Sequence, residues 1–88
     1  MTPDEEVLRG ERARQILEDP LVKSAFDEIL NVTVLKWSDA STSDEGAKKL
    51  RDFYRATLLF KQVFQQHIET GKMAEIQIKK SLKERFMT

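Results

Sequence analysis

Apolar residues recur at helical spacing over most of this chain, and most densely over residues 47–69. Six positions there follow one another at steps of three or four: Leu50, Phe53, Thr57, Phe60, Phe64 and His67. Such steps place side chains on one face of an α-helix. Three of the chain's five Phe residues lie in this stretch. The pattern therefore predicts that a principal helix, at about residues 43–70, carries most of the core.

A second run of helical spacing precedes it and begins at an Asp-Pro pair. Asp19 is suited to cap a helix and Pro20 to occupy its first position. The apolar positions continue to Trp37, which predicts a helix at about residues 20–37. Residues 31–35 are rich in β-branched side chains and taken alone would favour a strand. No other segment of the sequence alternates and offers such a strand a partner, so the pattern favours a helix throughout.

A polar segment, residues 38–44, separates these two predicted helices. Thr42 or Ser43 is suited to cap the helix that follows. Two amphipathic helices joined by so short a connection form an antiparallel helical hairpin.

Two weaker helices are predicted to flank the hairpin. Thr2 and Glu5 match a capping box at the start of a helix at about residues 3–18. Gly10 weakens that helix by about 1 kcal/mol relative to Ala. Gly71 is suited to end the principal helix, and a last helix follows at about residues 72–86. The sequence thus predicts an all-α fold.

The chain is small for a protein that must hold its fold alone. Its 88 residues are expected to form one helical domain, 1–88, which buries only about 60–65% of its unfolded surface. No Cys is available for a disulfide. Tyr54 and Leu58 lie away from the main apolar stripe, so apolar groups cover more than one side of the principal helix. We therefore expect a homo-oligomer or a stable partner protein. The residues assigned to the core and to self-association are Phe26, Ile29, Leu30, Trp37, Leu50, Phe53, Phe60 and Phe64.

The formal net charge is zero, but the two halves of the chain differ in sign. Residues 1–46 hold 11 acidic and 5 basic side chains (−6), and residues 47–88 hold 4 acidic and 10 basic side chains (+6). This division suits an antiparallel hairpin or a head-to-tail contact between subunits better than a uniformly basic nucleic-acid binder. The alternative of nucleic-acid binding rests on four cations near the chain end, which are also typical of a helix C-terminus. These candidate nucleic-acid contacts are Lys79, Lys80, Lys83 and Arg85.

The residue types that support catalysis are scarce. The sequence has one His and no Cys, and residues 70–72 lack the upstream glycine and the following Ser or Thr of a phosphate-binding loop. His67 alone does not supply the converging ligands that a metal ion requires. Its expected place is the C-terminal end of the principal helix, where a cation is favourable. We expect no catalytic residue, no cofactor and no metal site, and therefore a protein that is not an enzyme.

The N-terminus is acidic and lacks the basic-then-apolar order of a signal peptide. No apolar run approaches the roughly 18–20 residues that span a bilayer. The sequence predicts a protein that is neither secreted by a signal peptide nor inserted in a membrane.

Several stretches of the chain resemble small helical proteins encoded in tailed-bacteriophage genomes and prophages. The resemblance lies in ERARQILEDPLVKSAFDEI, Trp37, the polar loop, EGAKKLRDFYRATLLF and HIETGKMAE, and it covers residues 11–75. The shared pattern carries no specific chemistry, and most of these proteins have no assigned function. The β-branched residues 31–35 and the basic C-terminal segment depart from the pattern.

The resemblance implies a phage-derived, non-enzymatic protein of the host cytoplasm or the virion. Its expected role is in virion assembly, through protein–protein contacts with copies of itself or with other phage proteins. One alternative is a DNA-packaging factor similar to a small terminase subunit, which oligomerises and binds DNA through its basic C-terminal segment. Another is a phage-encoded inhibitor of a host protein, which the neutral charge suits equally well.

Overall fold

A computed structural model describes residues 1–87 and contains three α-helices in that range. They are α1 (Pro3–Glu18), α2 (Pro20–Trp37) and α3 (Asp44–Met87). The described residues include no β-strand. The prediction of an all-α fold is confirmed, and the ends of α1 and α2 agree with those expected from the sequence.

The junction between α1 and α2 is one residue long and is held by a helix cap. Asp19 lies in an extended conformation, and its carboxylate accepts hydrogen bonds from the backbone N–H of Leu21 (2.8 Å) and of Val22 (3.3 Å). Pro20 occupies the first helical position, where its missing N–H would have had no partner within the helix. One helix therefore ends and the next begins without an intervening loop.

The β-branched segment of α2, residues 31–35, is helical, as the sequence pattern favoured. Thr33 at its centre is only 4% exposed, and its hydroxyl donates a hydrogen bond of 2.6 Å to the carbonyl oxygen of Ile29 one turn earlier. A buried hydroxyl that bonds within its own helix needs no other partner. This arrangement makes the segment compatible with a helix despite its strand propensity.

The α2–α3 loop is fixed by hydrogen bonds of its own. The hydroxyl of Thr42 donates to the carbonyl oxygen of Lys36 (2.6 Å), which ties the end of the loop back to α2. The Ser43 hydroxyl accepts from the backbone N–H of Gly46 (3.0 Å) and so caps α3. Of the two predicted caps, the structure therefore selects Ser43.

The predicted helix break near Gly71 is wrong. Helix α3 runs without interruption for 44 residues, so no separate helix at 72–86 exists. Gly71 has no positive φ and lies buried inside the helix. Its role is to allow the close approach of a neighbouring helix, which sequence spacing alone does not reveal. His67 consequently lies in the interior of α3 and not at a helix C-terminus, contrary to the prediction.

The contacts group the chain into two compact units. The α1 unit consists of Met1–Leu17 together with the part of α3 from Val63 onward, and the hairpin unit consists of Glu18–Gln62. In the hairpin unit, α2 packs against the N-terminal part of α3 across the short loop, which is the predicted antiparallel hairpin. In the α1 unit, α1 packs against the C-terminal part of α3.

Candidate protein interaction surface

Two aromatic pairs join the helices of the hairpin unit. Near the loop, the rings of Trp37 and Tyr54 meet edge to face, with centroids 5.1 Å apart and planes at 86°. Further from the loop, the rings of Phe26 and Phe60 lie 6.2 Å apart at 38°. Tilted and edge-to-face pairs of this kind stabilise by about 0.5–1.5 kcal/mol beyond the area that they bury. They fix how α2 and α3 lie against each other.

The predicted core residues divide into two groups. Five are partly buried, namely Phe26, Leu30, Trp37, Leu50 and Phe64. Three are exposed: Ile29 (40%), Phe53 (55%) and Phe60 (60%). Among the described residues, no large apolar side chain is fully buried. The apolar stripe predicted from the sequence is therefore wider than the contact between α2 and α3.

The three exposed residues share one apolar groove of about 410 Å³ on the hairpin unit. Each helix contributes four residues to it, and we call this surface the open face: Val22, Ala25, Phe26, Ile29, Phe53, Ala56, Thr57 and Phe60. None of the eight carries a charge. Phe53 and Phe60 project, while Ala25 and Ala56 are small and leave space between the larger side chains.

A second recess, of about 330 Å³, continues the open face toward the loop. It shares Ile29 and Phe53 with the groove and adds Val32, which is 41% exposed. Glu28 and Lys36 also line this recess, so one acidic and one basic side chain lie at its edge. The Lys61 ammonium also lies 6.0 Å from the centroid of the Phe26 ring in the open face. An apolar centre with few charged residues is typical of the core of a protein–protein interface.

The most buried residues of the α1 unit are small. Gly10 and Gly71 are buried, and Ala13 and Ala74, one turn after each, are 4% and 2% exposed. Small side chains allow two helix backbones to come close together. Residues without large apolar side chains contribute little to a hydrophobic pattern, so the sequence did not indicate that they belong to the core. The one indication was Gly10 inside a predicted helix, where a glycine costs about 1 kcal/mol relative to Ala.

The four candidate nucleic-acid contacts do not form one uniform cationic face. The Lys79 ammonium lies 3.3 Å from the carboxylate of Glu75. Arg85 lines a recess of about 280 Å³ beside Pro3 and Asp4 of α1. Lys80 and Lys83 lie on the exposed surface of α3. The cluster seen in the sequence is therefore divided between the α1 side of the helix and its outer surface.

The ionisable groups of the described residues do not converge on a metal site, and two carboxylates have a lowered pKa. No three His, Cys, Asp or Glu residues within 1–87 converge on a position that could hold a metal ion. The hydrogen bond from Arg14 lowers the pKa of Glu11, and hydrogen bonds from Ser41 lower the pKa of Asp39. Both carboxylates lie on the surface, and the local bonds explain both shifts.

No described helix is long and apolar enough to cross a membrane. No family model, curated protein or solved structure matches this chain. The resemblance to small phage proteins therefore stays a prediction from the sequence.

Proposed function

We propose that this is a non-enzymatic protein that acts through protein–protein contacts, with the open face of the hairpin unit as its contact surface. The observation that supports the proposal is the exposure of two Phe side chains, Phe53 and Phe60, on one continuous apolar groove. Single exposed apolar residues are common on proteins, whereas an uncharged groove with two projecting aromatic rings is typical of a binding surface.

The two exposed Phe side chains can contribute a large part of the energy of a specific contact. A Phe side chain offers about 150–250 Å² for burial, so an exposure of 55% in Phe53 leaves roughly 100 Å² to cover. At about 25 cal/mol per Å², covering it contributes about 2.5 kcal/mol before the cost of association. Phe60 adds a similar amount, since 60% of its surface is exposed. Aromatic anchors of this kind carry much of the energy of protein interfaces.

The setting that we propose is the assembly of a phage particle, on the basis of the sequence resemblance. A small protein whose main surface feature is an apolar groove suits a structural or accessory role there. The same groove would serve an inhibitor of a host protein. The DNA-packaging alternative has less support, because Lys79 is paired with Glu75 and Arg85 lies beside α1.

In-cell photo-crosslinking tests the proposal. A benzophenone amino acid in place of Phe53 is expected to form a covalent adduct in the native host cell, and mass spectrometry would identify the adduct. The matched control places the same amino acid at Leu35, which is 70% exposed on α2 and lines neither recess. A discrete adduct at position 53 and none at position 35 supports the proposal. Equal labelling at both positions, or none at position 53, would refute it.

A further inference from the structure

We propose that a second copy of this chain covers the open face, so that two hairpin units form a four-helix bundle with twofold symmetry. The inference deepens the proposed function and rests on it, because it names the occupant of the same surface. Four observations support a second copy over another partner: the shape of the open face, the single layer of helices, the area that the chain exposes and the charges at the edge.

The open face is complementary to itself. It carries projecting side chains, Phe53 and Phe60, and a recess with small side chains, Ala25 and Ala56, on one surface. In a twofold contact, the same patch of both subunits meets, so each subunit must supply both the projections and the recess. A groove for a different helix would need only the recess.

The hairpin unit has a single layer of helices. The structure describes every residue of Glu18–Gln62, and Thr33 is the one buried residue among them. Helical domains bury a core between two packed layers. Two hairpins packed face to face supply the second layer and make a four-helix bundle, a common arrangement for amphipathic helices.

The exposed area is large enough for a stable dimer. The chain exposes 7148 Å², whereas a compact monomer of its 10.2 kDa mass exposes about 5,300 Å². The surplus of about 1,800 Å² exceeds the roughly 800 Å² that each partner buries in an interface of standard size. This surplus is spread over the whole chain, and it is large enough to supply an interface of standard size.

The charges at the edge of the open face also suit a second copy. Glu28 and Lys36 lie on the same recess and have opposite signs. A strongly acidic or basic partner would be matched by an edge of one sign. Lys61 adds a second base, with its ammonium 6.0 Å from the centroid of the Phe26 ring. An edge that carries both signs can be matched by its own copy.

Sedimentation equilibrium of the purified full-length protein tests the inference. The parent is expected to have twice the monomer mass of 10.2 kDa and to dissociate on dilution. Phe53→Glu places a charge in the centre of the open face, so the dissociation constant is expected to rise at least tenfold. The matched control, Leu35→Glu, adds the same charge to α2 outside the face and is expected to leave the dissociation constant unchanged.

A thiol-protection measurement keeps the test informative if Phe53→Glu does not fold. The chain has no Cys, so Ala56→Cys and Leu35→Cys each introduce a single thiol. In the dimer, the thiol at position 56 is expected to react with a maleimide at least tenfold more slowly than the thiol at position 35. Dilution below the dissociation constant should remove the difference.

The outcomes separate the inference from the proposed function. A monomer at all concentrations would overturn the inference, as would a dimer that Phe53→Glu leaves intact. Equal reactivity of the two thiols in a dimer would also overturn it. The cross-link at position 53 then decides the proposed function independently. An adduct with another protein would retain the contact surface with a different occupant, and the absence of any adduct would refute both.

Discussion

Gly10 of α1 and Gly71 of α3 lie in direct backbone contact. A Cβ added to Gly10 would lie 3.0 Å from the Cα of Gly71 and 2.7 Å from the carbonyl oxygen of His67. A Cβ added to Gly71 would lie 3.0 Å from the Cα of Gly10. Each glycine costs its helix about 1 kcal/mol relative to Ala. The close packing of the two helices offsets this cost.

Gly10→Ala is therefore expected to destabilise the protein although Ala is the better helix former. The new methyl group meets backbone atoms, which cannot move aside as a side chain can, so we expect a loss of about 1–3 kcal/mol. Urea unfolding followed by circular dichroism measures it. Gly46→Ala is the matched control, because a Cβ there meets the side chains of Thr42 and Ser43 at 3.4 and 3.1 Å. The packing role of Gly10 would be disproved if both variants were equally stable.

Because α3 is continuous, we expect a proline near Gly71 to destabilise the protein. Proline in a helix interior removes a hydrogen bond and clashes with the preceding turn, at a cost of about 3 kcal/mol or more. Lys72→Pro is expected to cost that much, because α3 continues through residue 72. Asp44→Pro, at the first position of α3, should cost much less. Thermal unfolding compares the two, and a Lys72→Pro variant as stable as Asp44→Pro would indicate a break near Gly71.

The hydrogen bonds of the α2–α3 loop predict a stabilisation that depends on pH. The backbone N–H and the hydroxyl of Ser41 donate to the Asp39 carboxylate, at 2.8 and 2.7 Å, and hold its pKa below the ordinary value of 3.8. A lowered pKa means that the folded state favours the ionised form. The stabilisation is therefore complete above the ordinary pKa and is lost as the pH falls through the lowered value.

An NMR titration of the Asp39 carboxyl carbon is expected to show a midpoint below 3.8. Ser41→Ala removes the hydroxyl donor but keeps the backbone N–H, which is the larger cause of the shift. The midpoint should therefore move only part of the way back. Ser24→Ala, on α2, serves as the control and should leave the midpoint of Asp39 unchanged. A midpoint at or above 3.8 in the parent would contradict the loop geometry.

The helices that have both a periodic pattern and a local cap were predictable from the sequence. Asp19 and Pro20 mark the junction of α1 and α2. The capping hydrogen bonds and the proline geometry involve only residues within four positions of each other, so packing against neighbouring helices does not change their effect. The same holds for Ser43 at the start of α3. Residues 31–35 were correctly assigned to a helix because no partner strand was available.

The features that depend on contacts between helices were not predictable. A glycine suits a helix end and a close helix crossing equally well, and only the position of α1 beside Gly71 distinguishes them. The exposure of the open face could not be predicted either. Phe26, Phe53 and Phe60 look alike in a helical pattern, but Phe26 lies partly buried between the helices while Phe53 and Phe60 remain exposed. Periodicity identifies an apolar side chain but not the surface that covers it.

Thr33 is the single buried residue of the hairpin unit, so the copy that we propose to cover the open face would supply much of its core. When half of a core is supplied by a partner, the free energy of unfolding rises with the concentration of that partner. In a dimer of identical chains that partner is the same protein, so a dilute chain would unfold more often and be degraded sooner. The survival of this protein in the cell would therefore rise with its own concentration.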